Sequence, residues 1–170
     1  MKSYNELQLA KELIKFPTVT PNDAGIINYL VKILKPIGFD CKVLEFKSKD
    51  SKKVKNLYAK LGKSSPNFCF AGHTDVVPPG NLKNWKTDPF KPKIINKFLV
   101  GRGASDMKSS IACFIAAVSK IKSNKLKGSI SLLITGDEEG DAINGTKKVV
   151  EYLIKDRKST RLNSSHWPIS

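Results

Sequence analysis

Two alternating periods of apolar residues run along this chain. Leu7, Ala10, Leu13 and Ile14 fall on one face at helical spacing. Ser3-x-x-Glu6 just before them reads as a capping box, so a helix is predicted that ends near Pro17. Ile26, Ile27, Leu30, Val31 and Leu34 predict a second helix, stopped by Pro36 and Gly38. Phe39-Cys41-Val43 and Leu57-Ala59-Leu61 alternate as strands do. Asn67 to Ala71 is a short apolar run that predicts a buried strand, Phe98 to Val100 a short strand, and Ile130 to Thr135 a central one. Pro78, Pro79, Gly80, Pro89 and Pro92 make residues 74 to 92 a long loop. Met107, Ile111, Phe114, Ile115, Val118 and Ile121 mark a helix of about four turns, and Val149, Val150, Leu153 and Ile154 a last one. Helices alternating with strands, some of them paired, predict an α/β fold: layered helix–sheet–helix with a mixed sheet.

The pattern changes at residue 157. From there to residue 170 there is no apolar periodicity, and two of the three arginines and one of the two histidines of the chain fall in this stretch. Arg157 to His166 resembles a translated sequencing adaptor. Residues 1–156 are therefore read as the native domain and 157–170 as a non-native tail, the alternative being a native polar tail.

Charge adds one question. The net charge of +15 raises the possibility of a basic nucleic-acid-binding domain. Against it, the lysines are scattered rather than gathered into a stripe, and no aromatic-basic interleaving accompanies them. A positive field also attracts small anionic substrates. No apolar stretch is long enough for a membrane span, and Met1 to Glu6 lacks the apolar core of a signal peptide. The expectation is a cytoplasmic chain with no membrane or nucleic-acid partner. Cys41, Cys69 and Cys113 are odd in number and far apart, so they predict buried free thiols rather than a disulfide framework or thiolate metal site.

The candidate chemistry lies after predicted strands. Gly72-His73-Thr74-Asp75, Ser105-Asp106-Met107 and Asp137-Glu138-Glu139-Gly140-Asp141 each follow one, and open α/β sheets bind ligands beyond the carboxyl ends of their strands. Each piece has a plain structural explanation. The histidine can be structural, Asp106 can cap its helix, and the acidic run can be a solvated loop. Together they point to a divalent metal, because carboxylates gathered at one rim need a cation. Imidazole with carboxylates suits zinc. In extended backbone, Glu138 and Glu139 would point in opposite directions, one to a metal and one to a water.

These segments resemble a known family. Phe70-Ala71-Gly72-His73-Thr74-Asp75-Val76-Val77-Pro78-Pro79-Gly80, Gly101-Arg102-Gly103-Ala104-Ser105-Asp106-Met107-Lys108 and Thr135-Gly136-Asp137-Glu138-Glu139-Gly140 are similar, in order and spacing, to the three motifs of the co-catalytic zinc aminoacylase and carboxypeptidase family. The likeness spans about residues 4 to 156. It departs at Gly136, where a serine is expected. It implies a zinc-peptidase-like catalytic domain with two zinc ions, cobalt being a possible substitute. His73 and Glu139 would each bind one ion, and Asp106 would bridge the two. Asp75 would fix the tautomer of His73, and Glu138 would act as general base. The Asp106–Met107 peptide would be cis. Asp88-Pro89-Phe90 and Ala142-Ile143-Asn144-Gly145-Thr146 favour a small anionic succinylated amino acid as substrate over acetylornithine or a dipeptide.

The resemblance also implies parts without a counterpart here: a further carboxylate ligand, a last histidine ligand, and an inserted domain that makes a homodimer. His166 lies in the doubtful tail and is not taken for a ligand. The catalytic domain is thus read as incomplete, with weak zinc binding, no turnover, and an open side of the sheet that lowers solubility.

Overall fold

The computed structural model describes residues 3–121 and 125–164, with side chains as far as residue 156. Among the described residues, four α-helices and six strands follow one another: α1 (Glu6–Ile14), α2 (Ile26–Leu34), β1 (Asp40–Phe46), β2 (Val54–Leu61), β3 (Asn67–His73), β4 (Lys93–Ile95), β5 (Phe98–Val100), α3 (Ser109–Ser119), β6 (Ser129–Thr135) and α4 (Thr146–Ser164). The main sheet has the order β1-β2-β6-β3. Its β1–β2 and β2–β6 pairs are antiparallel and its β3–β6 pair parallel, which makes it the mixed sheet expected.

The two faces of the sheet follow from strand alternation. Ile130, Leu132 and Ile134 of β6, opposite Leu61, Ala59 and Leu57 of β2, join one core with Leu9, Leu13, Ile27, Leu30, Ile111 and Ile115 from α1, α2 and α3. Leu132 is fully buried there, so truncating it to alanine is expected to cost about 2–5 kcal/mol. Leu133 points to the other face, and the buried Val149 of α4 lies outside that core cluster. The backbone of α4 runs past the expected boundary at 157 as far as Ser164; residues 165–170 of the expected tail lie outside the described residues. Among the described residues no helix is long and apolar enough to cross a membrane.

Three expectations need correction. The capping box does not form: Asn5 caps α1, its Oδ1 accepting Gln8 N at 2.9 Å, and Glu6 is already helical. Asparagine directly before the first helical residue is as good a cap as serine. β3 is not buried. It is the edge of the sheet, with Phe68 63% exposed, because its apolar run has a partner on one side only among the described residues. The short strand expected at Phe98 to Val100 forms, outside the main sheet, and pairs with Lys93–Ile95 as a two-stranded ribbon. Asn96 and Lys97, both at positive φ, make its turn, the conformation a two-residue hairpin needs. Finally, Cys69 and Cys113 are exposed and Cys41 is half-buried. Cys69 sits on the edge strand, and Cys113 alternates with the buried Ala112 and Ile111 on α3.

Candidate metal centre

The site begins where two parallel strands stop together. β3 and β6 stay in register to their ends, with His73 opposite Thr135. The segments that follow therefore leave the sheet side by side. Thr74 holds them together through N and Oγ1, donating to the Thr135 carbonyl at 2.9 and 3.3 Å. Thr18 Oγ1 donates to Thr74 O at 2.6 Å, and a bridge between Val19 and Val76 ties down the far side of Asp75.

Asp106 arrives by a different route from the one expected. It lies in a wide turn, Ala104–Lys108, before α3 and has extended backbone, φ −124° and ψ 105°. The residue preceding α3 is Lys108, so Asp106 is no helix cap. The Asp106–Met107 peptide is cis, as the resemblance implied. Met107 then passes beneath β3, and its Sδ lies 3.3 Å from His73 N. A Cβ on Gly72 would stand 3.0 Å from Met107 Cε and 3.1 Å from its Sδ, so the strand carries glycine where methionine crosses it.

The imidazole of His73 is the centre of the arrangement. Its Nδ1 is 3.0 Å from the backbone carbonyl of Asp75, and its Nε2 is 3.0 Å from Asp106 Oδ1 and 3.7 Å from Glu138 Oε2. A carbonyl only accepts, so Nδ1 carries a proton. In neutral histidine that leaves the Nε2 lone pair facing the carboxylates, as a metal ligand requires. Burial lowers the pKa of His73, but the carboxylate and carbonyl of Asp75 together with the Glu138 charge outweigh it and raise it to about 9.

Asp75 does more than the sequence suggested. Its carboxylate is 3.6 Å from His73 Nδ1, farther than its own carbonyl. The same carboxylate accepts Glu138 N at 3.1 Å and Glu139 N at 2.9 Å. It is 1% exposed. Burial opposes its charge, yet His73 and these two N–H groups hold the carboxyl below its ordinary pKa. Asp75 therefore joins the ends of β3 and β6 as well as facing the histidine.

Glu138 and Glu139 lie in a bend rather than in extended backbone. One oxygen from each and a ring nitrogen of His73 all lie within 4.8 Å of one another, so the two carboxylates converge instead of pointing apart. The Glu139 carboxyl is raised, first by burial and then by Asp106, Glu138 and Asp75, with His73 opposing. A divalent cation would reverse that repulsion. The donors also fit zinc in kind. Asp106 and Glu138 are 71% and 56% exposed against 6% for His73, so the site has a buried nitrogen floor and an open carboxylate mouth.

Two residues near the site were missed by the sequence reasoning. Lys108 is fully buried, and its Nζ donates to Phe16 O at 2.7 Å. Burial pushes its pKa down to about 7, with Asp75 opposing. The available signal was a lysine directly before an apolar helix. Arg102 stacks over Trp85, 5.3 Å from the ring centroid, and donates from Nη2 to Pro78 O at 3.2 Å. It pins the proline-rich loop beside the site.

Known proteins resemble this chain in sequence and in fold. Residues 69–166 match the profile of peptidase family M20/M25/M40. A succinyl-diaminopimelate desuccinylase of Pelagibacter ubique is 61% identical over 160 residues, 93% of this chain and 42% of that protein. One of Parvibaculum lavamentivorans is 52% identical over 150 residues, 88% and 38%. The chain thus spans about two fifths of the length of these relatives. Among solved structures, an M20 family metallo-carboxypeptidase from Sulfolobus solfataricus superposes with a TM-score of 0.76 at 25% identity, covering 92% of this chain and 35% of that one. Human carnosine dipeptidase 1 shares the fold, with a TM-score of 0.73 at 23% identity over 86% of this chain and 34% of the other. By fold, by the three motifs and by this match, the chain belongs to peptidase family M20/M25/M40.

Proposed function

We propose that this chain carries one side of the catalytic centre of a zinc-dependent amide hydrolase that releases succinate from N-succinyl-LL-2,6-diaminopimelate. The product, LL-2,6-diaminopimelate, is a precursor of lysine and cell wall. The observation that supports the reading most directly is the convergence of His73, Glu138 and Glu139 within 4.8 Å, with Asp106 3.0 Å from His73 Nε2. The two similar desuccinylases suggest the substrate.

In this reading His73, Asp106 and Glu139 would hold two zinc ions, with cobalt as a substitute. Zinc bound there supplies polarisation of the amide carbonyl and a lowered pKa for the attacking water. Glu138 takes the proton of that water and passes it to the leaving amine. Its exposure leaves room for both. Asp75 keeps Glu138 and Glu139 in place through their backbone N–H groups. The whole enzyme is a cytoplasmic homodimer. The 170 residues alone bind zinc weakly and do not turn over substrate, because three ligands for two ions leave both under-coordinated.

Two measurements test this. Titration of the chain with Co²⁺ should develop a visible absorption band that His73→Ala abolishes; an unchanged band in the variant overturns the metal site. For the substrate, residues 1–156 joined to the rest of the Pelagibacter relative should release succinate from N-succinyl-diaminopimelate faster than acetate from acetylornithine. The reverse order overturns the substrate.

A further inference from the structure

The acidic loop between β6 and α4 is irregular in backbone, yet it contains two buried polar residues: Asp137 at 5% and Asn144 at 1% exposure. Asp137 closes the loop on itself. Its N donates to Thr135 Oγ1 at 3.1 Å, and its carboxylate accepts Ala142 N at 3.2 Å and Asn144 N at 2.9 Å. The closure is tight, for a Cβ on Gly145 would meet Thr135 Oγ1 at 2.5 Å and Asp137 O at 2.8 Å. Glu138 and Glu139 stand inside this closed segment.

Asn144 fastens the closed loop to a distant part of the chain. Its Oδ1 accepts Ser48 Oγ at 2.8 Å, and its Nδ2 donates to Ser51 Oγ at 2.6 Å. Its carbonyl accepts Asn56 Nδ2 at 3.0 Å. Ser48 and Ser51 belong to the loop between β1 and β2, and they also bond each other, Ser48 N donating to Ser51 Oγ at 3.0 Å. The backbone of the glutamate pair is thus held from two directions. Asp75 holds it from the β3 side, and the chain Ser48/Ser51–Asn144–Asp137 holds it from the β1–β2 side.

We propose that Asn144 is a positioning residue, through which the β1–β2 loop sets the placement of Glu138 and Glu139 and hence the affinity of the site for a divalent metal. The inference rests on the proposed metal site for its consequence, though not for its geometry. Residues that orient metal ligands without touching the metal typically change affinity about 10- to 100-fold when removed.

The test uses substitutions in the β1–β2 loop, away from the core and from the glutamates. In the 170-residue chain, Ser48→Ala combined with Ser51→Ala removes both side-chain partners of the Asn144 carboxamide. Co²⁺ affinity should fall about ten-fold with a shifted visible band, and amide exchange at Glu138 and Glu139 should quicken. Lys53→Ala, in the same loop but paired with Glu45, should change neither. Asn144→Asp, which keeps the acceptor for Ser48, should bind metal better than Asn144→Ala. Unchanged metal affinity in the double serine variant overturns the proposal. If the unsubstituted chain binds no metal, the metal reading fails by itself. Amide exchange at the two glutamates then decides the positioning role: quickened exchange supports it, and unchanged exchange overturns it.

Discussion

Replacing Lys108 with methionine should make the metal-free chain more stable at pH 6 and change its stability little at pH 10. Lys108 is fully buried and gives one hydrogen bond, to Phe16 O at 2.7 Å. Burial lowers its pKa from 10.5 to about 7 in the folded chain. Between those values the unfolded chain holds a proton that the folded chain has lost, so stability rises with pH there. Below pH 7 the full penalty applies. The depression of 3.5 units corresponds to about 5 kcal/mol at about 1.4 kcal/mol per unit. At pH 10 about 1 kcal/mol of it remains. Methionine has similar length and no charge, so it removes this penalty together with one hydrogen bond, a loss of about 0.5–1.5 kcal/mol, while the Phe16 carbonyl keeps Thr18 N as a donor at 2.9 Å. The balance is a gain of roughly 4 kcal/mol at pH 6 and a change of less than about 1 kcal/mol at pH 10. The difference between the two pH values, about 4 kcal/mol, is independent of the hydrogen bond. Other groups titrate over this range, His73 among them, but they do so in both proteins. Urea unfolding of wild type and variant in chelator at both pH values measures it. A variant equally destabilised at pH 6 and pH 10 would refute the argument from charge burial.

Asp75→Asn should leave the chain folded, since one oxygen can still accept the Glu138 and Glu139 N–H groups. It should weaken Co²⁺ binding about ten-fold or more, read by absorption titration. Gly145→Ala places a Cβ 2.5 Å from Thr135 Oγ1 and should destabilise by about 1–3 kcal/mol; a thermal midpoint equal to wild type would contradict the closed loop. Phe68→Lys puts a charge on the exposed edge strand and should reduce self-association in light scattering without lowering the thermal midpoint.

The layered fold was legible because its central elements have consistent periods. In β6 every residue from Ser129 to Thr135 is buried, and α2 turns Ile26, Ile27, Leu30, Ile33 and Leu34 inward. The exposed edge at β3 was not legible. Phe68-Cys69-Phe70 has the composition of an interior strand, and only the pairing order reveals that one side has no partner among the described residues. The β4–β5 ribbon was missed because Asn96-Lys97 lacks the glycine that usually marks such a turn. His73, Asp106, Glu138 and Glu139 could be grouped from their positions after strands and turns. The second role of Asp75 was not visible, since hydrogen bonds to backbone N–H groups leave no trace in residue identity. The same holds for Asn144, which reads as an ordinary turn residue until its bonds to Ser48 and Ser51 are seen.

The register of β3 against β6 has one further meaning. β3 is bonded to the sheet along a single side among the described residues, and it ends in His73, with Asp75 just beyond. If that strand frays, the imidazole and the clamp on the glutamates depart with it. Metal bound at His73 and Glu139 would therefore act as a rivet across the β3–β6 seam of the sheet. By mass action it would stabilise the attached strand, and a chelator would first be felt as opening along β3.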